Sequence, residues 1–340
     1  MKETKIAILG YGGIARAHMH GYDILEGEGF PIKRVALCDV DPEQFTKIQK
    51  INIDTGSSTG AGELNLYTDF DEMLAKEEID TVDICLPTFL HKEYTIRALK
   101  AGKNVMCEKP MALTAADCAE MIATAKECGK QLMIGQCLRF NGHYLALKAE
   151  LDSGKHGKVL TARFERLSAL PRWGFEQWFM DFSRSGGEMQ DMSIHDYDMA
   201  RFLFGEPTKV SAVATAGEMP EQCSHVRLYY ENGPMVTVDG SWAEAPTFPF
   251  TCGFRVVCEK ATIAWNGGKA PVHVYPCEGT AYDLEYEEVD HMAEESRFFA
   301  NVTANGIVND KNPPESAMRS IALVEKLKES AAQGGAVLPF

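Results

Sequence analysis

The run Lys5-Ile6-Ala7-Ile8-Leu9-Gly10-Tyr11-Gly12-Gly13-Ile14-Ala15 sets a short apolar segment against glycines and a helix-like stretch. That order suits a phosphate site. Gly10 permits a tight turn, and Gly12 lets the backbone approach a pyrophosphate. The helix start beyond offers free N–H groups and the positive end of a dipole. Ala15 takes the third glycine position, which the fingerprint tolerates. Asp39 closes the next apolar run, at the spacing of roughly 20 residues or somewhat more where an acid meets a ribose. Its carboxylate would accept from both ribose hydroxyls and repel a 2′-phosphate, which selects NAD(H) over NADP(H). The alternative is a capping Asp before the turn at Asp41-Pro42.

Two further groups carry proton and charge chemistry. Glu108-Lys109-Pro110 ends a strand-like run, and strand ends of an open parallel sheet face the ligand crevice. Lys109 is a compact cation with movable donors. It could bind a substrate hydroxyl and stabilise the alkoxide character that grows as hydride leaves; otherwise it is a surface Lys beside an acid. Gly186-Gly187 opens a helix expected over 187–204, in which Asp191 and His195, four apart, share a face. His195 suits proton abstraction near neutral pH, with Asp191 orienting substrate and supporting the imidazolium. The alternatives are an ordinary surface pair, or two ligands of a metal site whose third ligand the sequence does not supply.

Weaker signals surround these. Pro87 and Thr88 follow the fourth strand-like run and could wall the nicotinamide ribose; His91 either joins them or begins the next helix. Arg139 is an anchor for cofactor or substrate oxygen, or an interdomain ion pair. The segment 170–182 gathers Trp173, Phe175, Trp178, Phe179 and Phe182, a stacking wall for sugar rings or a lid-to-core anchor. Trp178 and Arg139 are taken with Asp191 and His195 as substrate contacts. Gly13, Ile14, Val40 and Glu108 complete the expected dinucleotide set, beside Lys109.

These residues need a frame. Apolar runs at 5–9, 34–38, 82–86, 104–107 and 131–135 alternate with helical stretches at 13–26, 42–50, 69–76, 91–101 and 115–128. Strands apolar throughout are buried on both faces, so the pattern predicts a doubly wound parallel sheet of Rossmann type. Residues 54–62 read as a polar, flexible surface loop. Beyond about residue 150 strands follow one another at 157–168, 207–216, 223–231, 234–242, 251–258, 261–265, 271–277 and 282–286, with closing helices at 290–304 and 314–332. This predicts a large, mostly antiparallel open sheet with one face covered. The fold class is α/β, with domains at 1–134 and 135–340.

Composition narrows the rest. The chain has 340 residues and a net charge of −15. No basic stripe points to nucleic acid. No apolar stretch approaches a membrane span, and the opening residues do not read as a leader. Ten cysteines form no C-x-x-C pair, so a structural zinc is not expected. Cys38, Cys85, Cys107, Cys118, Cys128 and Cys258 sit in apolar runs and read as reduced core residues of a cytoplasmic protein.

In combination, Gly10-x-Gly12-x-x-Ala15-x-x-His18, Asp39, Pro87-Thr88…His91, Glu108-Lys109-Pro110, Arg139-Phe140 and Gly186-Gly187…Asp191…His195-Asp196 resemble the Gfo/Idh/MocA oxidoreductases, which include glucose–fructose oxidoreductase and inositol dehydrogenase. The resemblance implies that Lys109, Asp191 and His195 form a catalytic trio. It implies a cis Lys109–Pro110 bond, and a homodimer or homotetramer built through the open sheet. It also implies NAD-dependent oxidation of a secondary CH–OH on a sugar, glycoside or cyclitol. Residues 195–203 are similar to bacterial inositol dehydrogenases, but the segment 171–182 and Thr88, where many members carry Asn, depart from them and leave the substrate open. Two other activities stay open: NAD-dependent glycoside cleavage through a transient keto-sugar, and a non-catalytic NAD sensor.

Overall fold

The computed structural model describes residues 3–47 and 64–340. The chain divides into two compact units. One comprises Met1–Cys137, Trp173–Trp178 and Val289–Met318; the other comprises Leu138–Arg172, Phe179–Glu288 and Arg319–Phe340.

The first unit runs β1 (Thr4–Leu9), α1 (Gly13–Gly27), β2 (Ile32–Cys38), β3 (Asn65–Tyr67), α2 (Phe70–Lys76), β4 (Thr81–Ile84), α3 (Thr88–Lys100), β5 (Asn104–Glu108), α4 (Ala115–Cys128) and β6 (Leu132–Gly135). Six parallel strands lie in the order β3-β2-β1-β4-β5-β6. Ala7, Ile8, Val82 and Ile84 are fully buried, as helices on both faces require. The order reverses between β1 and β4, and that switch point opens a crevice at the strands' carboxyl ends. Tyr22 and Leu25 of α1 pack with Ile8 and Leu37, and with Ala293 and Ala300 of the helix His291–Asn305. Gly21 permits this approach, since a Cβ there would lie 2.9 Å from the Ala293 nitrogen.

The second unit begins with α5 (Gly142–Asp152) and β7 (Val159–Leu167). Three short helices follow: α6 (Phe182–Ser185), α7 (Glu188–Asp191) and α8 (Ile194–Phe204). Then come β8 (Lys209–Thr215), β9 (Cys223–Tyr229), β10 (Met235–Ser241), β11 (Thr251–Cys258), β12 (Ala261–Trp265), β13 (His273–Pro276) and β14 (Tyr282–Asp283). The helix already met is α9 (His291–Asn305), and α10 (Pro314–Ala332) and β15 (Leu338–Pro339) follow it. Nine strands pair in the order β14-β13-β12-β11-β7-β10-β9-β8-β15. The β7–β10 pair is parallel and the rest antiparallel. Ala162, Phe164, Val226, Leu228, Val236 and Val238 are buried, whereas Arg163, His225 and Arg227 are exposed. That alternation gives one covered face and one polar face.

Several expectations need correction. The helix read over 42–50 is a 3-10 turn at Pro42–Phe45, capped by the Asp41 carboxylate; residues 48–50 and the loop 54–62 lie outside the described residues. The three-residue β3 was not foreseen, because so short and exposed a strand shows no periodicity. The single helix expected over 187–204 is broken at Met192 and Ser193, for reasons that belong to the site. Among the described residues no helix is long and apolar enough to cross a membrane.

Candidate active site

Gly10 ends β1 with φ +90°, and a Cβ on it would lie 2.7 Å from the Cys85 carbonyl oxygen, just past β4. Only glycine fits there. Gly12 is the N-cap of α1 and supplies no side-chain cap, unlike Asp69 and Thr114, which cap α2 and α4. The first-turn N–H groups of α1 are therefore left to a ligand or to water. A Cβ on Gly12 would meet nothing within 4 Å, so the backbone beside it borders open space. Asp39 leaves β2 beside this turn and accepts the Tyr11 N–H at 2.7 Å and the Asp41 N–H at 2.9 Å. Burial raises its pKa against those two bonds. Each carboxylate oxygen keeps a further lone pair. Ile14 is half-buried, and Val40 is 67% exposed. An open glycine turn, an uncapped helix start and a fixed acid beside them fit a dinucleotide.

Lys109 follows β5 directly. The Lys109–Pro110 bond is cis, and the Lys109 N–H donates to Glu108 Oε2 at 3.1 Å. His91, 1% exposed on α3, sets its ring nitrogens 2.8 Å from the Pro110 carbonyl and 2.7 Å from the Leu86 carbonyl. Burial lowers its pKa against these acceptors. His91 thus brackets two loops at the carboxyl end of the sheet. Pro87 occupies the N-cap position of α3 without a side-chain cap, and Thr88 beside it is 2% exposed.

Beneath Glu108 lies a polar cluster outside the expected site set. His18 of α1 is fully buried, with Nδ1 2.8 Å from Asp83 Oδ2 and Nε2 2.9 Å from Glu108 Oε1. Tyr22 donates to the same Asp83 oxygen at 2.8 Å. Burial opposes a charge on His18, but Asp83 and Cys85 together outweigh it and hold the pKa well above the usual range. An imidazolium between two carboxylates therefore ties α1 to β4 and β5. Cys85 lies close enough to His18 and Asp83 to suggest a metal cluster, but the two ring nitrogens already face different carboxylates. The sequence signal was a lone acid, Asp83, inside an apolar strand.

In the second unit Gly186 and Gly187 both have positive φ, 76° and 77°. A Cβ on Gly186 would overlap the Gln190 side chain, and one on Gly187 would lie 2.6 Å from the Phe182 ring. The Gly187 carbonyl accepts the Asp191 N–H at 2.9 Å and starts α7. The Ser193 N–H then reaches back to the Glu188 carbonyl at 3.1 Å, a five-residue step, and the Ser193 carbonyl accepts the Asp196 N–H at 3.0 Å to start α8. Asp191 and His195 thus stand on two helices across a break, not one turn apart on one helix. Asp191 is 9% exposed and His195 half-buried. The next acids are structural partners. Asp196 meets Arg166 at 2.7 and 3.1 Å, and Asp198 meets Arg139 at 2.7 and 2.8 Å. Arg139 is 4% exposed and paired within its own unit. Trp178 is 8% exposed, whereas Trp173 and Phe175 are exposed, at 38% and 44%.

Comparison with known proteins bears on the family and the fold. A family pattern described as an oxidoreductase family with an NAD-binding Rossmann fold matches residues 4–136, and the GFO/IDH/MocA C-terminal domain matches 144–264. The chain is 30% identical over 249 residues to D-apiose dehydrogenase of Paraburkholderia graminis, covering 72% of this chain and 62% of that one. It is 38% identical over 215 residues to inositol 2-dehydrogenase of Rhizobium meliloti, covering 62% and 58%. The matches thus span about three-fifths of those relatives' lengths. Aldose-aldose oxidoreductase from Caulobacter crescentus, solved with glycerol, shares the fold at a TM-score of 0.85 and 24% identity, over 100% of both chains. An NAD-binding Rossmann unit joined to this family's C-terminal domain makes the chain a member of the Gfo/Idh/MocA oxidoreductases.

Proposed function

We propose that this chain is an NAD-dependent dehydrogenase acting on a secondary CH–OH of a sugar, glycoside or cyclitol. The observation that carries the reading is Lys109, held by Glu108 and the His91 bracket at the ligand-facing edge of a dinucleotide sheet. The Gly10–Gly13 turn and Asp39 would hold NAD, which would supply the hydride acceptor. His195 takes the proton of the substrate hydroxyl. Lys109 donates a hydrogen bond to the same oxygen and stabilises its growing negative charge. Asp191 orients the substrate and supports the imidazolium. The relatives' names, apiose and inositol dehydrogenases, agree with this substrate class.

The test is NADH formation across a panel of aldoses, glycosides and myo-inositol. Lys109→Ala and His195→Ala should each lose about 10²–10⁴-fold in turnover with NAD affinity kept. Unchanged turnover in both would remove the mechanism. A second reading, redox-neutral cleavage of a glycoside through a transient ketone, is favoured by the exposed aromatic residues Trp173 and Phe175. Aglycone release with only catalytic NAD would select it. We further propose a cytoplasmic enzyme, in keeping with ten free cysteines, that assembles as a homo-oligomer on the polar face of the nine-stranded sheet.

A further inference from the structure

Glu188 is a fully buried acid that the mechanism above does not use. It sits on α7, three residues before Asp191. Its Oε1 accepts from the Ser193 hydroxyl, and its Oε2 accepts from the Ser224 hydroxyl of β9 at 2.8 Å. Its carbonyl takes the Ser193 N–H. Ser193 is the residue at which α7 gives way to α8, so Glu188 grips the break through both main chain and side chain. The sheet makes room for this: a Cβ on Gly240 of β10 would overlap both Glu188 Oε1 and Ser193 Oγ.

We infer that Glu188 is a positioning residue, fixing the break between α7 and α8 and with it the relation of Asp191 to His195. The inference rests on the proposed roles of those two residues. Its protonation state follows from its surroundings. Burial pushes the carboxyl up to about 8 against the Ser193 and Ser224 hydrogen bonds, which lower it, while the nearby acids Asp196 and Asp191 add to the rise. Tyr197 of α8 and Lys328 of α10 also face it, and burial lowers the Lys328 pKa. β9 offers Ser224, and β10 offers Gly240. Near neutral pH Glu188 is therefore a neutral acid whose two oxygens take the Ser193 and Ser224 hydroxyls. Ionisation sets a negative charge inside the buried break, near Asp196 and Asp191.

The test follows the His195 ring resonances of the full chain from pH 6 to 9.5, assigned with His195→Gln. Wild type should show an inflection near 8 that Glu188→Gln lacks, with otherwise matching shifts. Ser224→Ala, which removes one hydrogen bond and little else, should move the inflection, so the test survives if Glu188→Ala fails to fold. An inflection near 8 that persists in Glu188→Gln, or one unmoved in Ser224→Ala, would overturn the inference. The activity arm uses NAD and myo-inositol as probe. Glu188→Gln should keep kcat within about threefold and stay flat above pH 8, where wild type declines. Glu188→Ala should lose about 10–100-fold in kcat, the scale of a misplaced group, with NAD affinity unchanged. If wild type is silent toward every polyol, the dehydrogenase reading fails, and the resonance arm still decides on Glu188.

Discussion

Gly12→Ala separates the coenzyme site from the stability of the fold. Gly12 has φ −76°, which any residue adopts, and an added Cβ meets no atom within 4 Å. Alanine is a poorer N-cap than glycine by up to about 1 kcal/mol, and the stiffer unfolded chain returns roughly 0.4–1 kcal/mol. The net change should lie within about 0.5 kcal/mol. Gly10→Ala is the contrast. Its φ is +90° and its Cβ would press on backbone, 2.7 Å from the Cys85 oxygen and 3.0 Å from the Cys85 carbon. Left-handed backbone costs about 1–2 kcal/mol and overpacking about 1–3 kcal/mol, giving roughly 2–5 kcal/mol together. At about 1.5 °C per kcal/mol for a chain this long, Gly10→Ala should lower Tm by roughly 3–7 °C and Gly12→Ala by about 1 °C or less. For the coenzyme the order reverses in kind. The Gly12→Ala methyl enters the open space beside the uncapped helix start. It should remove one or two charge-assisted hydrogen bonds to pyrophosphate, about 1.5–3 kcal/mol each, weakening NAD roughly 10-fold to over 10³-fold. Thermal scans of the free protein and calorimetric titration with NAD measure both quantities. NAD binding within threefold of wild type in Gly12→Ala would refute the placement of the pyrophosphate.

Two further outcomes follow from the first unit. Asp39→Asn keeps an oxygen for the Tyr11 N–H but removes the charge facing a 2′-phosphate; the ratio of NAD to NADP affinity should fall about 10–100-fold, and an unchanged ratio would mean that Asp39 only supports the turn. His18 has a folded pKa well above its ordinary 6.5, so its stabilisation is complete below about 6.5 and is lost as pH rises through the folded value. The stability gap between wild type and His18→Gln, read from urea midpoints at pH 6–9, should shrink as pH rises above about 6.5 by up to about 1.4 kcal/mol per pH unit, and a constant gap would argue that His18 is neutral.

What could be read along the chain was whatever depends on neighbours in sequence. Ile6 to Leu9 running into Gly10 and Gly12 already specifies strand, turn and helix start, because glycine conformation and apolar periodicity are local properties. The same holds for the succession of strands after residue 150. Contacts between distant segments were not legible. Nothing near His18 in sequence announces that both its ring nitrogens meet acids 65 and 90 residues away. Nothing in the spacing of Asp191 and His195 announces a broken helix. A four-residue interval predicts one shared helical face, and the break arises because Glu188, Ser193, Ser224 and Gly240 meet from three separate elements. Arg139 shows the same limit, since its choice of Asp198 follows from two elements packing within one unit. Residue order alone specifies most of the elements, the glycine turn and the residue types able to do chemistry, but not the short β3 or the break between α7 and α8. Which charges neutralise one another in the interior is settled by packing, because an ion pair or a buried acid is defined by what surrounds it, and only folding supplies the surroundings.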